Sequence, residues 1–339
     1  MAINRYLCIF LASMLGASCL AQEIDFSVSS SRDQMGVGSV FSKDATYFST
    51  KGNAQIGIYS RNPYRRTGSI CCHKGEITEE YFLKGNEGED RLLQFKKIRM
   101  QGVEAIEASI YSVKGVLLVG PREMPIFSGN LFSVAPAKTY FAILNDNVVS
   151  VFDSSLNKVK DINVSIELKG IESIALSNDG DSILIKDSAS FVFVAAHAGI
   201  GARVTSCDAA MGDKFKIAPH EMVLSKFLVL FESGRGCIIS GGAGKEFKMA
   251  SSEGVIGAYA VDSMLYVLTE VSITAFDDKE FTTVGSFELS PYYEQQFGIP
   301  SAHEYPVFLD HEFDSKSNTF YLRGHRSTNV FYEIKVTNK

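Results

Sequence analysis

The sequence predicts an all-β fold: a β-propeller of seven blades, closed by pairing of its N- and C-terminal strands. Residues 130–164 and 170–195 repeat one unit, in which an apolar strand, a polar turn, a second strand, a tight polar turn and a third strand follow in order. The unit returns after about 42 residues, the period of a propeller blade. Elsewhere, strands of about four to seven residues succeed one another at spacings of about ten, with no sustained helical periodicity. A mature chain of roughly 320 residues divides into seven units of about 45.

In chain order, residues 1–21 read as an export signal. Arg5 supplies a positive start, residues 6–15 form an apolar run, and small residues crowd 16–21, as a signal peptidase requires. The run is shorter than the ~20 apolar residues that span a bilayer, and no later segment is a transmembrane candidate. Cleavage after Ala21 would leave 22–339 as the propeller domain. Gly16, Ala17, Ser18 and Cys19 also resemble a lipobox, which makes a lipid anchor on Cys19 the alternative. Residues 23–28 alternate as a strand does and are placed beside 321–336 to complete the last blade. That pairing would bury an edge that otherwise invites aggregation.

Residues 39–48 give a strand, a polar turn and a second strand, and Asn53 turns the chain into a third at 56–59. Between 59 and 127, strands are expected at 79–83, 91–95, 104–111 and 116–119, but the repeat gives them no phase. The two full units place strands at 140–144 and 148–152 after a turn at 135–138, and at 182–185 and 191–194 after a turn at 177–181. A weaker copy lies at 222–239, with its turn at 233–236. Residues 258–268 with 271–276, and 312–322 with 330–334, continue the series. This phrasing resembles the WD40/YVTN-like propeller superfamily from about residue 25 to the C-terminus, at the level of fold. The chain contains no Trp, so the Trp-Asp blade endings of WD40 repeats are absent throughout.

A net charge of −6 argues against the basic face of a nucleic-acid binder. Beyond the leader the cysteines are Cys71, Cys72, Cys207 and Cys237. In an exported chain they permit disulfides, and Cys207 with Cys237 is the expected pair, in what should be neighbouring strands. Cys71 and Cys72 would point to opposite faces of a strand. No C-x-x-C spacing supports a zinc site, and nothing in the sequence calls for a cofactor.

His303, Glu304, Asp310, His311, Glu312 and Asp314 are the densest set of ligand-type residues. Such a set could hold a divalent metal, or could simply decorate a loop and the start of a strand. It lacks the H-E-x-x-H spacing, and Pro306 argues against a helix. Asn178, Asp179 and Gly180 look like part of a calcium loop, but hairpin turn chemistry accounts for them. Gly241–Gly244 lack the phosphate-loop spacing, and no G-x-S-x-G elbow offers a nucleophile. His73, His197, His220 and His325 stand singly.

Two loops stand out for recognition. Residues 291–308 carry Tyr292, Tyr293, Phe297, Tyr305 and Phe308 together with three prolines. Proline limits the entropy lost on docking, and Tyr and Phe are favoured at interface cores. A rim element packed on its own domain is the alternative. Arg61 and Arg65, with Arg66, form a basic turn that could meet an acidic partner, or could be solvated. The resulting expectation is an exported, non-catalytic propeller, periplasmic or secreted, that binds a protein or ligand through one rim. The fold resemblance leaves two others: a hydrolase or lactonase of the YVTN-like kind, with its site near 303–314, and, in a bacterial host, an envelope protein that inhibits a toxin or assists outer-membrane assembly.

Overall fold

The computed structural model describes residues 24–324 and 330–338, apart from 33–38, 52–54, 72–75, 101–102, 128–130, 197–200, 208–213, 222, 224, 249–254, 270, 280 and 290–307. The described chain is built of strands without an α-helix, and no helix is long and apolar enough to cross a membrane. It opens with β1 (Ile24–Arg32). Blade one follows as β2 (Ser39–Phe41), β3 (Tyr47–Lys51), β4 (Gln55–Ser60) and β5 (Arg65–Cys71). Blade two is β6 (Glu76–Lys84), β7 (Asp90–Met100), β8 (Val103–Ser112) and β9 (Leu117–Met124). Blade three is β10 (Phe132–Val134), β11 (Tyr140–Asn145), β12 (Val148–Asp153) and β13 (Lys158–Asn163). Blade four is β14 (Ser173–Leu176), β15 (Ser182–Lys186), β16 (Phe191–Ala195) and β17 (Gly201–Arg203). Blade five is β18 (Phe215–Pro219), β19 (Lys226–Phe231), β20 (Arg235–Ser240) and β21 (Ala243–Lys248). Blade six is β22 (Val255–Val261), β23 (Met264–Thr269), β24 (Ser272–Asp277) and β25 (Thr283–Glu288). Blade seven takes β26 (Phe308–Asp314), β27 (Thr319–Gly324) and β28 (Val330–Asn338) from the C-terminus, and β1 as its outermost strand.

These seven four-stranded antiparallel sheets form a ring in which the first strand of each blade lies innermost. Closure is by β1 on β28, in register from Ile24 opposite Asn338 to Arg32 opposite Val330. The last blade is thus completed by β1, and the sequence-based placement beside the last blade holds for 24–28, the described part of 23–28. Arg61 strengthens the same seam. Its guanidinium lies 4.2 Å over the Tyr321 ring, pairs with Glu333 and donates to the Ala45 carbonyl at 3.1 Å, tying blade one to blade seven.

Packing explains why the second strands read as unbroken apolar runs. On β11, Phe141 and Ile143 join the core shared with blade two, whereas Ala142 and Leu144 join the core shared with blade four. On β15, Ile183 and Ile185 face blade three and Leu184 faces blade five. Successive side chains point to opposite faces of a strand, and both faces of a blade are covered by neighbours, so every position is selected for burial.

The repeat unit has one strand more than the sequence suggested. The outer strands β13 and β17 are short or polar, with β13 mostly exposed apart from Ile162. The four unphased strands between 59 and 127 are a single blade, the second, whose β7 and β8 are the longest hairpin among the described residues. The weak copy at 222–239 is blade five, where the turn lies one position earlier than expected and Arg235 already opens β20. Gly241 and Gly242 have φ of 58° and 89° and form the two-residue turn between β20 and β21, which requires left-handed backbone at both positions. Cys207, just after β17, is disulfide-bonded to Cys237 on β20, with Cα atoms 5.8 Å apart, linking blades four and five. Cys71 ends β5, and Cys72 lies outside the described residues, as do 1–21 and Cys19.

Candidate functional site: an axial channel sealed at one end

The turns that follow the inner strands meet across the propeller axis and join by polar contacts. Lys43, after β2, pairs with Glu221 at 3.1 Å and lies 3.9 Å from Glu312 of β26. Lys138, after β10, pairs with Glu312 and donates to the Phe41 carbonyl at 2.6 Å. Ser315 donates to Glu221 at 2.8 Å. Asn178, after β14, donates to the Glu221 carbonyl at 2.9 Å and accepts from the Ala137 amide at 2.6 Å. The Glu221 amide in turn donates to the Ala260 carbonyl at 2.9 Å. Blade two joins through the Lys84 amide, which donates to the Lys138 carbonyl at 2.7 Å, and through the Lys84 ammonium, 3.6 Å from Asp44. Every blade therefore contributes to one network that seals this end of the channel.

Local turn chemistry positions these groups. Ser42 and Ser177 each donate to the aspartate two residues on, Asp44 and Asp179. Those carboxylates accept from the amides of Thr46 and Asp181, a side chain imitating a turn of backbone. In blade three the turn lacks that pair, and Lys138, with a φ of 58°, holds the left-handed position that Ala45 and Gly180 hold in blades one and four. Burial alone would raise the Asp44 pKa, but the Thr46 amide and the Lys84 ammonium bring it below the ordinary carboxylate value.

Beside the seal lies a cavity of about 380 Å³, partly open to solvent and walled by the inner strands of blades three, five, six and seven. His311 and Tyr259 form its most specific pair. The Tyr259 hydroxyl donates to His311 Nδ1 at 2.5 Å, and His311 Nε2–H donates to the Ile256 carbonyl at 2.9 Å. Gly257 makes this possible, because a Cβ there would lie 2.6 Å from the imidazole ring. Burial pushes the His311 pKa down to about 4; the bond to Ile256 opposes this, and the charges of Lys216 and Lys138 reinforce it. Burial likewise raises Tyr259 well above its ordinary value. His311 is thus a neutral imidazole with both nitrogens engaged, which leaves it no free lone pair with which to accept a proton or bind a metal.

The pH consequence follows from the sign of that shift. In the unfolded chain the imidazole protonates near pH 6.5, whereas in the fold it resists protonation until about pH 4. The stabilisation is complete above pH 6.5 and is lost as pH falls towards 4. Allowing for the part of the ring that faces the cavity, the loss is on the order of 2 kcal/mol. His311→Gln can make both hydrogen bonds without titrating. Denaturant midpoints at pH 7 and pH 5 should therefore differ less in this variant than in the wild type; equal differences would show that His311 carries none of the acid sensitivity.

The other sequence-predicted residues fall as follows. Glu312 is committed to the seal, and Asp314 accepts from the Lys316 amide and the Ser317 hydroxyl, so it shapes the turn after β26. Asp310 is placed by its backbone on β26 opposite Arg323, and His303 and Glu304 lie outside the described residues. Among the described residues no group of His, Cys, Asp and Glu is arranged to hold a metal ion. Asp179 and Gly180 form the hairpin between β14 and β15. Arg61 is engaged in the blade-seven seam, whereas Arg65 is exposed at the start of β5. Tyr292, Tyr293, Phe297 and Tyr305 lie outside the described residues; the connection that carries them ends at Phe308, the first residue of an inner strand. The seal itself was not anticipated. Its signal was present, since Lys43, Lys138 and Asn178 occupy the equivalent turn of blades one, three and four.

The ring, its closure by β1 and the sealed channel define the molecule as a seven-bladed β-propeller. No protein-family model matches the chain, and no curated protein matches it, so its likeness to WD40-like propellers stands at the level of fold.

Proposed function

We propose that this chain is an exported, non-catalytic binding propeller that docks a protein or ligand on the rim opposite the polar seal. The observation that carries this reading is the seal. It commits the ionisable residues of one channel end to the fold, leaving the ends where the inner strands begin as the recognition face. β26, the inner strand that follows the connection 290–307 in sequence, begins at that face, and the aromatic residues of that connection suit an interface core. Export is supported by the leader pattern of 1–21 and by the Cys207–Cys237 pair, since structural disulfides persist in oxidising compartments. The periplasm or the exterior fits both, with either a soluble N-terminus at Gln22 or a lipid on Cys19.

A pull-down from the native envelope would identify the partner, and titration would then measure it. Tyr292→Ala, Tyr293→Ala and Tyr305→Ala should each weaken binding by about 1–2 kcal/mol and leave the melting temperature in place. Lower melting temperatures with unaltered binding per folded molecule would make the loop a structural rim and refute the reading.

A further inference from the structure

We propose that the axial cavity is itself a binding site, for a small organic anion with an apolar body, and that Lys216 supplies its counter-charge. The volume of about 380 Å³ falls in the range of small-molecule sites. Its wall is largely apolar, with Val134, Ile217, Ile256 and Ala258 contributed by three blades. Three lysines line it. Lys43 is neutralised by Glu221 and Lys138 by Glu312. Lys216, exposed on β18, has no ion-pair partner among the described residues.

The dyad, on the neighbouring strand β22 and on β26, adds no negative charge, because Tyr259 keeps its proton and His311 is neutral. The described wall therefore carries one uncompensated positive charge beside an apolar surface. That combination selects against cations, which would meet Lys216, and against small hydrated inorganic anions, which gain nothing from the apolar wall. An aliphatic or aromatic carboxylate or sulfonate satisfies both parts. This site is distinct from the rim and does not depend on what the rim binds.

The test uses the full mature chain and 8-anilinonaphthalene-1-sulfonate, a fluorescent arylsulfonate, as probe. One probe per protein should bind, and octanoate should displace it while octylamine does not. Lys216→Gln should weaken both the probe and octanoate at least tenfold with no change in melting temperature, and Lys216→Arg should restore binding. Lys214→Gln serves as the charge control: it removes the same charge two residues away, from a side chain that is 80% exposed and lies 3.5 Å from Glu232. Equal effects of the two Gln variants would reduce the result to net charge and overturn the proposal. So would displacement by octylamine as effective as by octanoate, or the absence of a saturable single site.

Discussion

Removal of Ile24–Arg32 is expected to unfold the propeller rather than shorten it. The segment forms the whole outer strand of blade seven, antiparallel to β28 over nine residue pairs. Ile24 is buried in the core between blades six and seven, and Phe26 packs on Phe287 of β25 with ring centroids 5.5 Å apart. Burying two such side chains contributes roughly 1.5–3 kcal/mol each. The deletion also leaves the full length of β28 as an unpaired edge, a template for association. The loss is comparable to the ~5–15 kcal/mol that separates a folded domain from its unfolded chain. A truncation beginning at residue 33 should therefore be aggregated or lack a cooperative thermal transition. A soluble truncation melting within a few degrees of the mature chain would show that the ring does not depend on this strand.

Glu312→Ala should be the most damaging single change at the seal. Its carboxylate takes Lys138 and lies near Lys43, and all three side chains are between 12% and 15% exposed. Lys43 keeps Glu221, but Lys138 is left as a largely buried cation with only the Phe41 carbonyl. Breaking one side of a buried pair costs about 3 kcal/mol or more. The exposed pair Lys158–Asp161 provides the contrast, with side chains 53% and 38% exposed. Asp161→Ala should cost well under ~1 kcal/mol, since solvent screens such pairs. Replacing Lys138 and Glu312 together by Met and Leu should recover much of the single-variant loss, because the stranded charge is gone. Equal midpoints for Glu312→Ala and Asp161→Ala would show that the network is an ordinary solvated surface.

The fold was legible where burial on both blade faces makes the strands conspicuous. Residues 140–152 and 182–194 could be read almost to their ends, because each apolar run lies between two cores. The outer strands were not legible: Lys158 and Val159 of β13 sit at a blade edge in solvent, where nothing enforces alternation. Blade two escaped phasing because its strands run beyond the repeat length, to Met100 in β7. At the candidate site, His311 and Glu312 were visible as chemistry-bearing residues, but their roles were not. Whether an imidazole is free or satisfied depends on Tyr259 and Ile256, more than fifty residues away in sequence. The Lys43–Glu221 and Lys138–Glu312 pairs are separated by 178 and 174 residues, and only ring closure brings them together.

If the sealed end is structural, recognition belongs to the opposite end, and site-specific photo-crosslinking in the native host distinguishes the two. One photoreactive residue replaces Tyr292, on the connection leading into β26, and another replaces Lys316, exposed in the turn beside the seal. A discrete crosslinked partner is expected through position 292 and none through position 316. The same partner captured through 316 and absent at 292 would place recognition on the sealed face and contradict it.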